Sequence, residues 1–180
     1  APLLTVRSLT KRFTTRKRSM LGGRPGGEVT AVEDVSFEVR RGECLGLVGE
    51  SGCGKTTTSK IVMRAVAADS GQVEFNDRGT IVDVLNLRGK ALTAFRHKVQ
   101  YIFQDPFSSL NPRMTVFDII SEPLVIHQVG SERERSERVK ELMNLVGLDV
   151  RYLRRYPHSF SGGQRQRIGI ARALALQPDL

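Results

Sequence analysis

The stretch Gly49-Glu50-Ser51-Gly52-Cys53-Gly54-Lys55-Thr56 decides how this chain folds. It fits the P-loop pattern G-x-x-x-x-G-K-[ST] at every fixed position. The run Cys44-Leu45-Gly46-Leu47-Val48 before it is short and apolar and reads as a buried parallel strand. Residues 57–66 after it carry Ile61, Val62, Ala65 and Val66 at helical spacing. Strand, glycine loop and helix form the context the motif requires. Glycines let successive backbone N–H groups turn inward around phosphate oxygens. The helix N-terminus behind them adds roughly half a positive charge. Lys55 is expected to reach the β- and γ-phosphates of a nucleotide, and the Thr56 hydroxyl to ligate Mg²⁺. The competing reading is a glycine turn with a chance Lys-Thr pair, which leaves both flanks unexplained.

A chain of 180 residues is one ordinary domain or a large piece of one. Its 39% hydrophobic and 26% charged residues lie in the globular range. No apolar run approaches the roughly 18 residues of a membrane helix, and Ala1-Pro2-Leu3 opens no signal-peptide pattern. Cys44 and Cys53 lack metal-ligand spacing, so a reducing cytoplasm is expected. Cys53 sits near a helix N-terminus, which can lower a thiol pKa; the plainer reading is a small side chain the loop tolerates. The formal charge of +9 invites a nucleic-acid or anionic-membrane partner. Much of the excess lies in Lys11, Arg12, Arg16, Lys17, Arg18 and Arg24, where no aromatic interleaving marks a stacking platform. Nucleic acid is therefore not expected as the main partner.

Residues 4–9 alternate weakly and read as an edge-type strand. Phe13 follows, either a core aromatic or a ring offered to a flat ligand. Residues 14–28 are basic, then glycine-rich, and read as a mobile loop. Val35, Phe37 and Val39 mark a half-buried strand. Val73 and Phe75, the turn Asn76-Asp77-Arg78-Gly79 and residues 80–84 read as a hairpin in an antiparallel layer. Residues 91–98 are weakly helical. Val99-Gln100-Tyr101-Ile102-Phe103 is a second buried-strand candidate ending on Gln104, before a loop bracketed by Pro106 and Pro112. Thr115 with Asp118, and Ser131 with Glu134, predict capping boxes. Val139, Leu142, Met143 and Val146 give a helical stripe that Gly147 ends. Ser161-Gly162-Gly163-Gln164 opens a helix through Leu176, with Arg165, Arg167 and Arg172 reaching away from its apolar face. His97, His127 and His158 lie in separate segments with no ligand spacing, so solvent-facing or hydrogen-bonded rings are expected.

Taken together, these stretches resemble the ATP-binding subunit of ABC transporters. Phe13 stands where an aromatic adenine-stacking residue sits, Gln104 where the Q-loop glutamine sits, and 160–164 where the signature sits. The runs from Gln104 to Arg113 and from Tyr156 to Arg167 look like the oligopeptide/dipeptide importer branch, which also handles nickel and glutathione. Phe160 departs mildly from the leucine that opens the signature in many relatives. The resemblance implies an α/β fold: a P-loop NTPase core, an antiparallel β layer and an α-helical signature subdomain. The approximate division is 1–43 and 70–85 for the β layer, 44–69 and 86–104 for the core, and 105–176 for the helical subdomain. It implies ATP and Mg²⁺ as ligands, held by Phe13, residues 49–56 and Thr57, with Thr56 and Gln104 toward the metal and Lys55 and Gln104 catalytic. Ser161, Gly162, Gly163 and Gln164 would face the γ-phosphate held by a second subunit. Ser-x-x-Gln is also a capping box that needs no ligand.

The implied function is to power import of peptides or a related small solute, with ATP joining two ATPase subunits. Two transmembrane permease subunits and, indirectly, a periplasmic solute-binding protein would complete the system at the cytoplasmic face of the inner membrane. The alternative is a soluble ATPase of the same type acting on nucleic acid or in a non-transport complex; the run from Gln104 to Arg113 favours the importer. The family places an acidic Mg²⁺-binding strand, a catalytic glutamate and a switch histidine after the signature helix. The sequence stops at Gln177-Pro178-Asp179-Leu180, where that strand begins. It therefore reads as an N-terminal fragment, expected to leave apolar surface at Leu45, Leu47 and Ile102 uncovered and to hydrolyse negligible ATP alone.

Overall fold

A computed structural model describes residues 1–14, 27–105 and 108–180. The basic, glycine-rich segment with Arg16, Lys17, Arg18 and Arg24 lies outside the described residues, as do Pro106 and Phe107. The chain forms two compact units, Ala1–Thr93 and Ala94–Leu180.

The first unit is built on a four-stranded antiparallel sheet in the order β2-β1-β3-β4, with β1 Leu4–Thr14, β2 Glu28–Val39, β3 Ser70–Asp77 and β4 Thr80–Asp83. The first strand is thus central rather than an edge. Its weak alternation has a local cause. Ser8 takes a left-handed φ of 47°, the register shifts between Val6 and Leu9, and the extra residue keeps Leu4, Val6 and Leu9 all buried. Asp34 does the same in β2, also with a φ of 47°, so Val32 and Val39 stay buried across the irregularity. Arg78 and Gly79 both have positive φ and join β3 to β4 in a two-residue hairpin, as the turn residues predict.

Helix α1, Lys55–Val62, is shorter than the expected 57–66. Arg64 adopts a φ of 56°; its N–H donates to Ile61 O at 2.9 Å and the Ala65 N–H to Lys60 O at 2.9 Å. That is a Schellman ending, which takes Ala65 and Val66 off the helix. The run 44–48, expected as a buried parallel strand, joins no ladder among the described residues, and Leu45 and Leu47 are exposed. The unit boundary falls within α2, Gly89–Lys98.

The second unit is helical: α3 Val116–Ile126, α4 Glu132–Leu145 and α5 Gly162–Leu174. All three begin with reciprocal capping boxes, at Thr115 and Asp118, Ser131 and Glu134, and Ser161 and Gln164. They bury one core containing Ile119, Ile120, Leu142, Met143, Ile168 and Ala171. The fifth helix stops two residues before Leu176. Arg165 and Arg172 do not reach outward as expected: Arg165 Nε donates to Phe160 O at 3.0 Å and Arg172 Nη1 to Ser109 O at 2.8 Å. Residues 99–103 form no assigned strand, and Ile102 is exposed while Val99 is buried. The Leu180 N–H donates to Lys98 O at 3.2 Å and the Gln100 N–H to Leu180 O at 2.9 Å, the hydrogen-bond pattern of a parallel pair.

Gly147 ends α4 with a φ of 68°, and the Leu148 N–H beyond it donates to Met143 O at 2.9 Å. Gly147→Ala is therefore expected to cost about 1–2 kcal/mol of stability, seen as a lower denaturant midpoint at unchanged slope. Gly147→Asn should lose less.

Candidate nucleotide-binding site

The loop 49–56 is exposed and closed on itself by its own lysine. Lys55 Nζ donates to Gly49 O and Glu50 O, both at 2.7 Å, and lies 3.4 Å from Cys53 Sγ. One internal amide bond, from the Cys53 N–H to Glu50 O at 3.3 Å, completes the turn. The N–H groups of Gly52, Gly54, Lys55 and Thr56 find no hydrogen-bond partner among the described residues. The Thr56 hydroxyl likewise has none there, whereas the Thr58 hydroxyl bonds back to Gly54 O at 3.0 Å. The Gly49, Glu50 and Gly54 carbonyls have partners, whereas four amides of the loop are left bare. The loop presents amide donors, a cation and the hydroxyls of Ser51 and Thr56, a set suited to a phosphate and its divalent cation.

The loop is seated by a close approach. Gly54 has a φ of 94°, and a Cβ there would collide with the carbonyl oxygen of Ala31 on β2. The same β2 segment pairs with β1, Val32 opposite Lys11 and Val29 opposite Phe13. One stretch of β2 thus touches the P-loop glycine on one side and carries the Phe13 segment on the other. Phe13 is 42% exposed, which takes it out of the core. Lys11 Nζ lies 5.2 Å from its ring centroid. Asp69 fixes this end of β1: it accepts from Lys11 Nζ at 2.8 Å and from the Arg12 N–H at 2.6 Å. The Lys11 hydrogen bond, then the Arg12 amide, hold its carboxyl below the usual range. Nothing local in the sequence marked Asp69, because its partners are 57 and 58 residues away.

The second unit carries Gln104 and 161–164. Gln104 is exposed. Ser161 Oγ accepts from the Gln164 N–H at 3.3 Å and Gln164 Oε1 from the Ser161 N–H at 3.0 Å. This capping box leaves the Gly162 and Gly163 amides without partners among the described residues. A Cβ at Gly163 would meet nothing within 4 Å. His158, stacked on Tyr156, is exposed as expected, whereas His97 and His127 are half-buried and pack edge to face with centroids 5.2 Å apart. Burial, then the neighbouring His97, lowers the His127 pKa. Among the described residues no group of three or more His, Cys, Asp or Glu gathers to hold a metal, and no helix is long and apolar enough to cross a membrane.

Comparison with known proteins places this geometry. The chain is 50% identical to the oligopeptide transport ATP-binding protein OppF of Bacillus subtilis, over 98% of its own length and 54% of the relative's. It is 48% identical to AppF, of the same description and organism, over 99% of its length and 53% of the relative's. It spans about half the length of each of these relatives. A solved dimeric ATP-binding cassette in a post-hydrolysis state with ADP and Pi superposes with a TM-score of 0.81 at 28% identity, covering 97% of this chain and 70% of that one. The ABC transporter family profile matches residues 32–180. The chain, with its phosphate loop, its antiparallel sheet and its helical unit, belongs to the ABC transporter family.

Proposed function

We propose that this chain is the nucleotide-binding part of an ATPase subunit that powers import of peptides or a related small solute. The observation that carries the reading is the exposed loop of bare amides closed by Lys55. On this reading the amides of Gly52, Gly54, Lys55 and Thr56 and the Lys55 ammonium take the phosphates of ATP. To do so, Lys55 exchanges its two carbonyl partners for phosphate oxygens, a trade of neutral acceptors for charged ones. Phe13, exposed on β1, stacks on adenine. Thr56 and Gln104 would be the residues to hold Mg²⁺, which would supply neutralisation of phosphate charge. On this reading Lys55 and Gln104 are the catalytic residues.

Ser161, Gly162, Gly163 and Gln164 meet the γ-phosphate bound by a second ATPase subunit. The capping box supports this, because it orders the helix start while leaving two glycine amides unpaired. ATP then holds two subunits together. The exposed stretch at Gln104 addresses two transmembrane permease subunits, which receive solute from a periplasmic binding protein. The subunit works at the cytoplasmic face of the inner membrane. The two Bacillus subtilis relatives, both oligopeptide transport ATP-binding proteins, support oligopeptide as the solute class.

Lys55→Ala in the full-length protein should weaken Mg-ATP binding by about 1.5–3 kcal/mol or more, measured by titration calorimetry; unchanged affinity would remove the loop from the site. Phe13→Ala should cost about 1–3 kcal/mol in ATP affinity and much less for inorganic triphosphate. A side chain at Gly163 has room within this chain, so Gly163→Gln should fold and bind ATP as before yet lose ATP-dependent dimerisation in light scattering. Dimers that persist in that variant would refute the signature reading.

A further inference from the structure

Within the second unit a cavity of about 310 Å³ opens beside the ends of α3, α4 and α5. Its apolar lining includes Leu124, Ala175 and Leu176, all buried. Its polar lining includes His97, Glu134, Arg135 and Arg138. The volume sits at the small end of ligand pockets.

The hydrogen-bonding balance of that lining is one-sided. Arg135 Nε donates to Val129 O at 2.8 Å, which anchors the guanidinium, and its two terminal nitrogens have no partner among the described residues. Arg138 uses Nη1 on Glu141 at 3.3 Å and Nη2 on Leu174 O at 3.2 Å. Its Nε is buried with no partner. His97 makes its ring contact with His127 and no hydrogen bond among the described residues. The one carboxylate, Glu134, is engaged by the α4 cap, where Oε2 accepts from the Ser131 N–H at 2.7 Å and the Ser131 hydroxyl at 2.8 Å. Those two bonds hold its pKa down and keep it ionised. Donors therefore outnumber acceptors beside an apolar wall.

We propose that this cavity binds a small organic carboxylate, its head on the guanidinium groups of Arg135 and Arg138 and its short apolar tail along Leu124, Ala175 and Leu176. A planar guanidinium with both terminal nitrogens free matches a carboxylate two bonds at a time. The apolar wall selects an anion with a tail over a bare one. This site touches the tail of α5, the helix whose other end carries Ser161, Gly162 and Gly163.

Valerate is the probe. The full-length protein, saturated with Mg-ADP so that the phosphate loop is filled, is titrated with valerate, pentanol and inorganic phosphate by calorimetry. His97 ring resonances are followed by NMR. Valerate should bind saturably and shift His97, and pentanol and phosphate should each bind at least about tenfold more weakly. Arg135→Gln should weaken valerate about tenfold or more, with Arg135→Lys intermediate. No saturation below about 10 mM, equal binding of pentanol, or an affinity unmoved by Arg135→Gln would overturn the proposal. Should Arg135→Gln fail to fold, the valerate–pentanol comparison and the His97 signal in the unaltered protein decide it.

Discussion

The close approach of Gly54 to the Ala31 carbonyl is the constraint on which the nucleotide site rests. It seats a donor-rich loop against a strand whose own position is set by a hydrogen-bonded ladder. Only a residue without a Cβ fits, and only a residue comfortable at a φ of 94° can take that backbone. Once the loop is seated, its polar groups divide. The carbonyls of Gly49 and Glu50 are satisfied by the lysine of the same motif, so the amides that remain have no internal alternative to an anion. The same ladder carries Phe13 into solvent two residues beyond Lys11. Sheet register thereby sets the distance between the ring and the loop.

The helical unit solves a similar problem differently. Each of its three helices starts with a reciprocal cap, which satisfies two amides. At α3 the two amides between them, of Val116 and Phe117, donate to Arg155 O and Leu153 O, both at 2.9 Å, and at α4 the intervening Glu132 and Arg133 carry side chains. At α5 the intervening pair is Gly162 and Gly163, so the approach to the bare amides is open. The capping box and the proposed signature role are compatible, because the cap holds the Gly162 and Gly163 amides in place. The shared core of Ile119, Leu142 and Ile168 fixes the helix that presents them.

Features set by neighbours in sequence were legible from sequence. The loop motif, the three caps, the Gly147 stop and the Arg78-Gly79 hairpin all depend on residues within a few positions of one another, and all are where the residues place them. The misses have long-range causes. The weak pattern of 4–9 looked like an edge because a bulge at Ser8 breaks its period; the strand in fact has partners on both sides. The runs 44–48 and 99–103 have the composition of buried parallel strands, but a strand exists only with a partner, and among the described residues neither has an assigned ladder. The Arg165 and Arg172 side chains turn back to carbonyls that helical periodicity cannot locate.

The residues alone determined the chemistry at the loop and the helix starts, because glycine, lysine and hydroxyl side chains act there on their own backbone. The tertiary structure alone decided that Phe13 stands in solvent, that Ala31 is the surface Gly54 must clear, and that His97 meets His127 beside an arginine-lined cavity. These are contacts between residues tens of positions apart. Register and packing bring them together, and neither is written in any local stretch of the chain.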